Sequence, residues 1–157
     1  MNQYRRLKTK FELACDSFDF DQWPFYNMSR LVFLYHRKLD AALKPLGVDT
    51  PRMRVLSVLG KRGTASVTQI SEEAVMLMST TAKIIRRMVA QDLVCTSVSL
   101  KDARSIEVSL TPRGAEMLGV VQMKVDAVAA RSFFDLSESD IDALNETTRK
   151  MHANLEM

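Results

Sequence analysis

The chain is poor in cysteine, histidine, glycine and proline, and each shortage removes a class of protein. Only 2 Cys and 2 His occur in 157 residues. Cys15 and Cys95 lie far apart without Cys-x-x-Cys spacing, and His36 and His152 do not complete a ligand set, so a structural zinc site is excluded. In a reducing compartment both thiols are expected to be free. With 5 Gly and 4 Pro there is little room for long irregular loops, which favours helix. No apolar run approaches the ~20 residues of a membrane helix. The start, Met1-Asn2-Gln3-Tyr4-Arg5-Arg6-Leu7-Lys8, lacks the apolar stretch and cleavage site of a secretory signal. A cytoplasmic protein without a membrane partner is expected. Catalytic constellations are missing too: no Gly-rich phosphate loop, no nucleophile elbow and no His-x-x-x-His. The acids Glu138, Asp140 and Asp142 fit the start of a last helix, where the dipole favours them. Neither an enzyme nor a cofactor is expected.

What is present suits one domain. Hydrophobic residues make up 46% and charged ones 26%, enough to bury a core and too ordered a mixture for wholesale disorder. The net charge of +3 is unevenly spread. Residues Met1 to Pro51 carry 8 Lys+Arg against 6 Asp+Glu, Arg52 to Ala115 carry 10 against 5, and Glu116 to Met157 carry 4 against 8. The middle is therefore basic and the end acidic, which localises any polyanion-binding surface to the centre of the chain.

Met1 to Gln22 read as a charged lead-in or arm, broken at Trp23-Pro24-Phe25 because proline disfavours helix at the residue before it. A first long helix is expected over about Asn27 to Leu46, with Leu31, Tyr35, Leu39, Ala42 and Leu46 on one side and Arg37, Asp40 and Lys44 opposite. Phe33 lies on the polar side, where a subunit contact would account for it. Gly47 ends this helix, and Thr50-Pro51 opens a second that stops at Lys61-Arg62-Gly63. Ser66 to Glu73 predicts a short third helix with a Ser or Thr cap. Ser79 to about Gln91 predicts a fourth. Val94, Thr96, Val98 and Leu100, then Ile106, Val108 and Leu110, alternate on either side of Lys101-Asp102-Ala103-Arg104-Ser105, the pattern of a β-hairpin. Thr111-Pro112-Arg113-Gly114 opens a long helix to about Phe134. Ser137 and Asp140 then have capping-box spacing for a final one.

Two short helices, a longer one and a hairpin describe a winged helix-turn-helix. Stepping ~100° per residue along the fourth helix, Ser79, Lys83, Arg86, Arg87 and Ala90 share one arc, while Thr81, Ile84, Ile85 and Met88 share the opposite one. Cations can reach phosphates or guanine edges, hydroxyls can bond either, and small residues permit close approach. A merely solvated surface helix would show the same phase. It would usually mix signs in i,i+4 pairs, however, and no acid lies between Ser79 and Gln91. At the hairpin tip Lys101 and Arg104 flank Asp102; an Arg there suits a narrow minor groove, although Asp also serves simple turns.

Over roughly Asn27 to Leu155 the sequence resembles the MarR family of bacterial regulators. The stretches that carry the likeness are Leu39-Asp40-Ala41-Ala42-Leu43-Lys44-Pro45-Leu46-Gly47-Val48, Arg54-Val55-Leu56, Ser79-Thr80-Thr81, and Asp102-Ala103-Arg104 followed by Val108-Ser109-Leu110-Thr111-Pro112-Arg113-Gly114. The resemblance implies a mainly α fold with a small β-hairpin wing, a winged helix-turn-helix plus a helical dimerisation region. In it, residues 1–50 would hold an N-terminal arm and the first dimerisation helix, 51–111 the DNA-binding lobe, and 112–157 the C-terminal dimerisation helices, all one intertwined domain. It implies a homodimeric, sequence-specific regulator of double-stranded DNA, a repressor released by a small effector, on an inverted-repeat operator. Candidate DNA contacts are Ser79, Thr80, Thr81, Lys83, Arg86, Arg87, Lys101, Asp102 and Arg104, with Lys83 reading a base, Arg104 the minor groove and Asp102 bracing the wing. Asp92 stands where the family usually has glycine, and Thr96 where a wing arginine is frequent.

Effector binding between dimer core and DNA-binding lobe is a family habit, for small aromatic or anionic compounds. The candidates here are Trp23, Phe25, Tyr26, Tyr35 and His36; ordinary core aromatics around a half-buried histidine would look the same. Two alternatives remain. A thiol-based redox sensor would use Cys15 or Cys95, but the family's peroxide-sensing branch places its cysteine inside the first long helix, nearer Val32. An architectural DNA-binding protein would lack effector control altogether.

Overall fold

A computed structural model of the chain describes residues 19–98 and 106–157. The lead-in before residue 19, with Cys15, and the hairpin tip with Lys101, Asp102 and Arg104 lie outside them. Among the described residues six α-helices and three strands follow in the order α1 (Pro24–Leu43), α2 (Thr50–Arg62), β1 (Thr64–Ser66), α3 (Val67–Glu73), α4 (Met78–Ala90), β2 (Val94–Val98), β3 (Ile106–Leu110), α5 (Pro112–Ser132) and α6 (Glu138–Leu155). Single 3-10 turns precede α1 at Phe20–Gln22 and follow it at Lys44–Leu46.

Helix α1 starts three residues earlier than the sequence suggests. Pro24 lies in its first turn with extended Trp23 as the cap, so the proline opens the helix instead of preceding it, its missing N–H costing nothing there. At the other end Gly47 adopts φ 65°, the left-handed conformation glycine enters freely. The chain then re-enters helix under two carboxylates. Asp49 caps α2 by accepting from the Arg52 N–H. Asp40, on the polar side of α1, accepts from both the N–H and the hydroxyl of Thr50, at 3.0 and 2.6 Å. Burial pushes the Asp49 carboxyl up, but the hydrogen bonds from Arg52 and its charge outweigh that and hold it below the usual range.

Helix α2 is the centre of the core. Its Val55, Leu56, Val58 and Leu59 are buried together with Leu39 and Leu43 of α1, Ile70 of α3, Ile84, Ile85 and Met88 of α4, Val94 and Val108 of the sheet, and Leu118 and Val121 of α5. The expected hairpin is present, but it belongs to a three-stranded antiparallel sheet in the order β1-β3-β2. Ala65 and Thr96 both register against Val108. Strand β1 escaped the sequence reading because three residues are too few to show a period of two. The expected inward parity also fades along the wing: Val94 and Val108 are buried, whereas Val98 and Ile106 are exposed.

The junction into α5 explains the Leu-Thr-Pro-Arg-Gly run. Thr111 caps α5 by accepting from the Gly114 N–H, while its own hydroxyl donates to the Asp92 carbonyl at 2.6 Å. Gly114 is needed for close approach: a Cβ there would sit 1.8 Å from the Leu93 carbonyl oxygen. Helix α6 carries the expected capping box between Ser137 and Asp140. The Ser137 hydroxyl and N–H hold the Asp140 carboxyl below its ordinary value.

Two apolar surfaces are left exposed among the described residues. Leu31, placed by helical phase with Leu39, is exposed along with Val32, Phe33 and Leu34, and so are Phe133, Phe134 and Leu136 between α5 and α6. No residue of α6 is buried. Among the described residues no helix is long and apolar enough to cross a membrane.

Candidate nucleic-acid interface

Helices α3 and α4 meet at a tight turn over residues 74–77. Helix α3 begins in a capping box, Ser66 accepting from the Gln69 N–H and the Gln69 side chain from the Ser66 N–H. It ends with Ala74 bonded to the Ile70 carbonyl and Met76 to that of Ser71. Val75 between them has φ 52°, a left-handed conformation costly for a β-branched side chain. Helix α4 then presents one face outward. Ser79, Thr80, Lys83, Arg86, Arg87 and Ala90 are exposed, and Thr81, Ile84, Ile85 and Met88 are buried. The helical phase read from sequence is the observed one.

One candidate contact is corrected by this geometry. Thr81 is completely buried and its hydroxyl donates back to the Leu77 carbonyl at 3.1 Å, so it seats α4 on the core and has no access to DNA. The remaining α4 candidates form a cationic, hydroxyl-bearing strip. Helix α4 contributes no acid to that strip.

The strip is held by its flanks. Arg52 of α2 bridges Asp49 and the Gln91 side chain that ends α4, and Arg62 pairs with Glu73 at the end of α3. That pairing keeps the Glu73 carboxyl below its ordinary range. Asp92, in the family's glycine position, has φ 55°; aspartate is among the few residues that tolerate this conformation, which explains why the replacement is accommodated. Beside α4 and the wing, Val67, Ala82, Ile85, Arg86, Val89, Thr96 and Ile106 line a shallow apolar pocket of about 350 Å³. The bonding roles of Arg52, Asp40 and Gln91 have no local sequence signal, because they depend on contacts 10 to 39 residues away.

The effector candidates do not converge on one cavity. Trp23 and Phe25 rings lie 5.7 Å apart, as do those of Phe20 and Tyr26, and the Arg30 guanidinium sits over the Tyr26 ring at 5.4 Å. These are contacts around the start of α1. Tyr35 instead lines a cleft of about 600 Å³ between α1 and α5, with Leu31, Leu34, Lys38, Val128 and Arg131. His36 turns toward α2, where the Arg54 guanidinium lies 3.0 Å from its Nε2. Cys95 is exposed on β2, its sulfur 3.2 Å from the Ser109 hydroxyl. No group of three or more His, Cys, Asp or Glu that could hold a metal occurs among the described residues.

A helix-turn-helix with an outward cationic helix, backed by a three-stranded wing and flanked by unpaired helical faces, defines a winged-helix DNA-binding regulator. No family model matches the chain, but individual relatives do. It is 34% identical to the HTH-type transcriptional repressor IacR of Pseudomonas putida over 152 residues, 97% of this chain and 91% of the relative. A MarR family regulator from Silicibacter pomeroyi shares the fold with a TM-score of 0.77 and 26% identity, covering 87% of this chain and 92% of that one. BpsR of Bordetella bronchiseptica, whose DNA binding is regulated by 6-hydroxynicotinic acid, superposes with a TM-score of 0.78 at 19% identity, covering 86% and 96%. The chain belongs to the MarR family of transcriptional regulators.

Proposed function

We propose that the chain is a homodimeric, cytoplasmic repressor that binds an inverted-repeat operator through Ser79, Thr80, Lys83, Arg86 and Arg87 of α4, with Arg104 of the wing reaching the minor groove, Asp102 bracing the wing and Lys101 adding a cation beside them. Its role is binding rather than catalysis. The observation that supports this reading best is the phase of α4: every cation of the helix is exposed while Ile84, Ile85 and Met88 are buried. Arg104→Ala is expected to weaken operator binding, since it removes a cation from the proposed interface, without lowering the melting temperature. Equal affinity at the same salt concentration would remove Arg104 from the interface.

Dimerisation is the use proposed for segments 1–50 and 112–157. Phe33 is 65% exposed and Phe134 76% exposed, and α6 has no fully buried residue. A two-fold partner over these faces would cover them, and would place the two α4 helices about one DNA turn apart. Sedimentation at micromolar concentration should therefore give a dimer, and a monomer would contradict the assignment.

The effector would be a small aromatic or anionic compound in the α1–α5 cleft, whose volume lies within the usual range for ligand pockets. Tyr35 and the apolar side chains would meet an aromatic body, and Lys38 and Arg131 an acidic group. Trp23, Phe25, Tyr26 and His36 fall outside that cleft's lining.

A further inference from the structure

We infer that Arg54 is a positioning residue for DNA binding, acting as a clamp on the strained turn that delivers α4 to the operator. This rests on the reading of α4 as the recognition helix. Two independent observations support it. The first is a chain of hydrogen bonds running from α1 through α2 to the turn. The half-buried Arg54 guanidinium meets His36 Nε2 at 3.0 Å on one arm, and on the other donates to the Ala74 carbonyl at 3.1 Å. Ala74 is the first residue of the turn, the C-cap of α3, and its carbonyl is beyond the helical ladder of α3, so Arg54 supplies a partner that α3 itself does not.

The second observation is Val75, the next residue. Its φ of 52° places a β-branched side chain in the left-handed region, and 81% of it is exposed, so no packing of the side chain holds it there. A conformation of this kind persists only when its surroundings over-determine it. What fixes the turn is backbone bonding on both sides, Val75 to the Glu72 carbonyl and Met76 to the Ser71 carbonyl, together with the Arg54 clamp on Ala74. Helix α4 begins three residues after Val75, with extended Leu77 as a cap whose side chain makes no hydrogen bond. Relaxation of Val75 toward an ordinary φ would thus be transmitted directly to the first turn of α4, which carries Ser79 and Thr80. Because His36 lies on α1, the clamp also links the proposed dimer region to the DNA-binding face.

The consequence is an energetic coupling between Arg54 and Val75 that mere packing would not produce. Glycine adopts φ near 50° without strain, so a turn carrying Val75→Gly needs no clamp. Operator affinity is expected to fall about tenfold for Arg54→Ala, the factor matching strain of ordinary size at such a residue. In the Val75→Gly background the same change should cost no more than about twofold. Arg54→Lys, which keeps the charge and the apolar stem, provides the same comparison should Arg54→Ala not fold; lacking the guanidinium fork, it cannot hold His36 and Ala74 together. Binding of all four proteins of the cycle to the operator, at a temperature where each is folded by circular dichroism, decides the matter. An equal loss in both backgrounds, or no loss from Arg54→Ala or Arg54→Lys, overturns the clamp. If operator binding is also indifferent to Lys83→Ala, the failure belongs to the assignment of α4 instead.

Discussion

Gly114→Ala is expected to destabilise the protein by about 3 kcal/mol or more, at or above the upper end of ordinary overpacking. The added methyl would lie 1.8 Å from the Leu93 carbonyl oxygen and 2.9 Å from its carbon. Those atoms are backbone and cannot swing aside like the end of a flexible side chain. The carbonyl itself accepts from the Thr111 N–H at 3.2 Å, and the Thr111 hydroxyl bonds Asp92 next door. Relief of the clash therefore requires α5 to lift off the α4–β2 connection and give up its own cap. At ~2–4 °C per kcal/mol for a chain of this size, the melting temperature should fall by roughly 6–12 °C. Gly119→Ala, on the same helix with open space around it, provides the contrast: alanine has the better helix propensity by ~1 kcal/mol, and its melt should hold or rise. An unchanged melt for Gly114→Ala would show that α5 does not seat against Leu93.

The second large effect is on α4. Ile84 is 9% exposed and packs in the core beside Ile85 and Met88. Its truncation to Ala should cost ~2–5 kcal/mol, the lost transfer energy plus the cavity left behind. Loss of DNA binding by Ile84→Ala should then follow unfolding and recover on cooling, because the side chain never faces the operator. The neighbouring Lys83 is exposed, so Lys83→Ala removes almost no packing.

Helical phase was the most legible feature of the sequence, because a 13-residue amphipathic helix repeats its signal over several turns. Lys83, Arg86 and Arg87 stand exposed and Ile84, Ile85 and Met88 buried, as their spacing implied. Helix starts are legible for the same local reason: the Ser137–Asp140 capping box is in place, and Thr111-Pro112-Arg113-Gly114 does open α5. Thr81 shows how a motif misleads when set against phase. Its arc already pointed inward, and the Ser-Thr-Thr run suggested a contact that its buried hydroxyl cannot make. Leu31 differs: its apolar stripe is real, but the described residues leave this end of it largely exposed. Contacts between distant elements left no trace in the pattern. Asp40 on Thr50, Arg52 on Gln91 and Arg54 on Ala74 each join residues whose spacing has no local meaning. The effector candidates are neighbours in sequence around the start and the apolar edge of α1, and the fold sends them in three directions.

If the cationic arc of α4 reads DNA while its opposite arc holds the core, Lys83→Ala and Ile84→Ala must separate when measured side by side, by thermal melt and by operator binding at two salt concentrations. Lys83→Ala should melt with the wild type and lose affinity. The loss should be ~1–3 kcal/mol with discrimination relaxed at one position if Lys83 contacts a base. It should be similar on all sequences, with a shallower salt slope, if it contacts only phosphate. Ile84→Ala should melt early and bind normally once cold. A Lys83→Ala that unfolds beside a folded Ile84→Ala that no longer binds would mean that the recognition face is the other one, and would contradict the account.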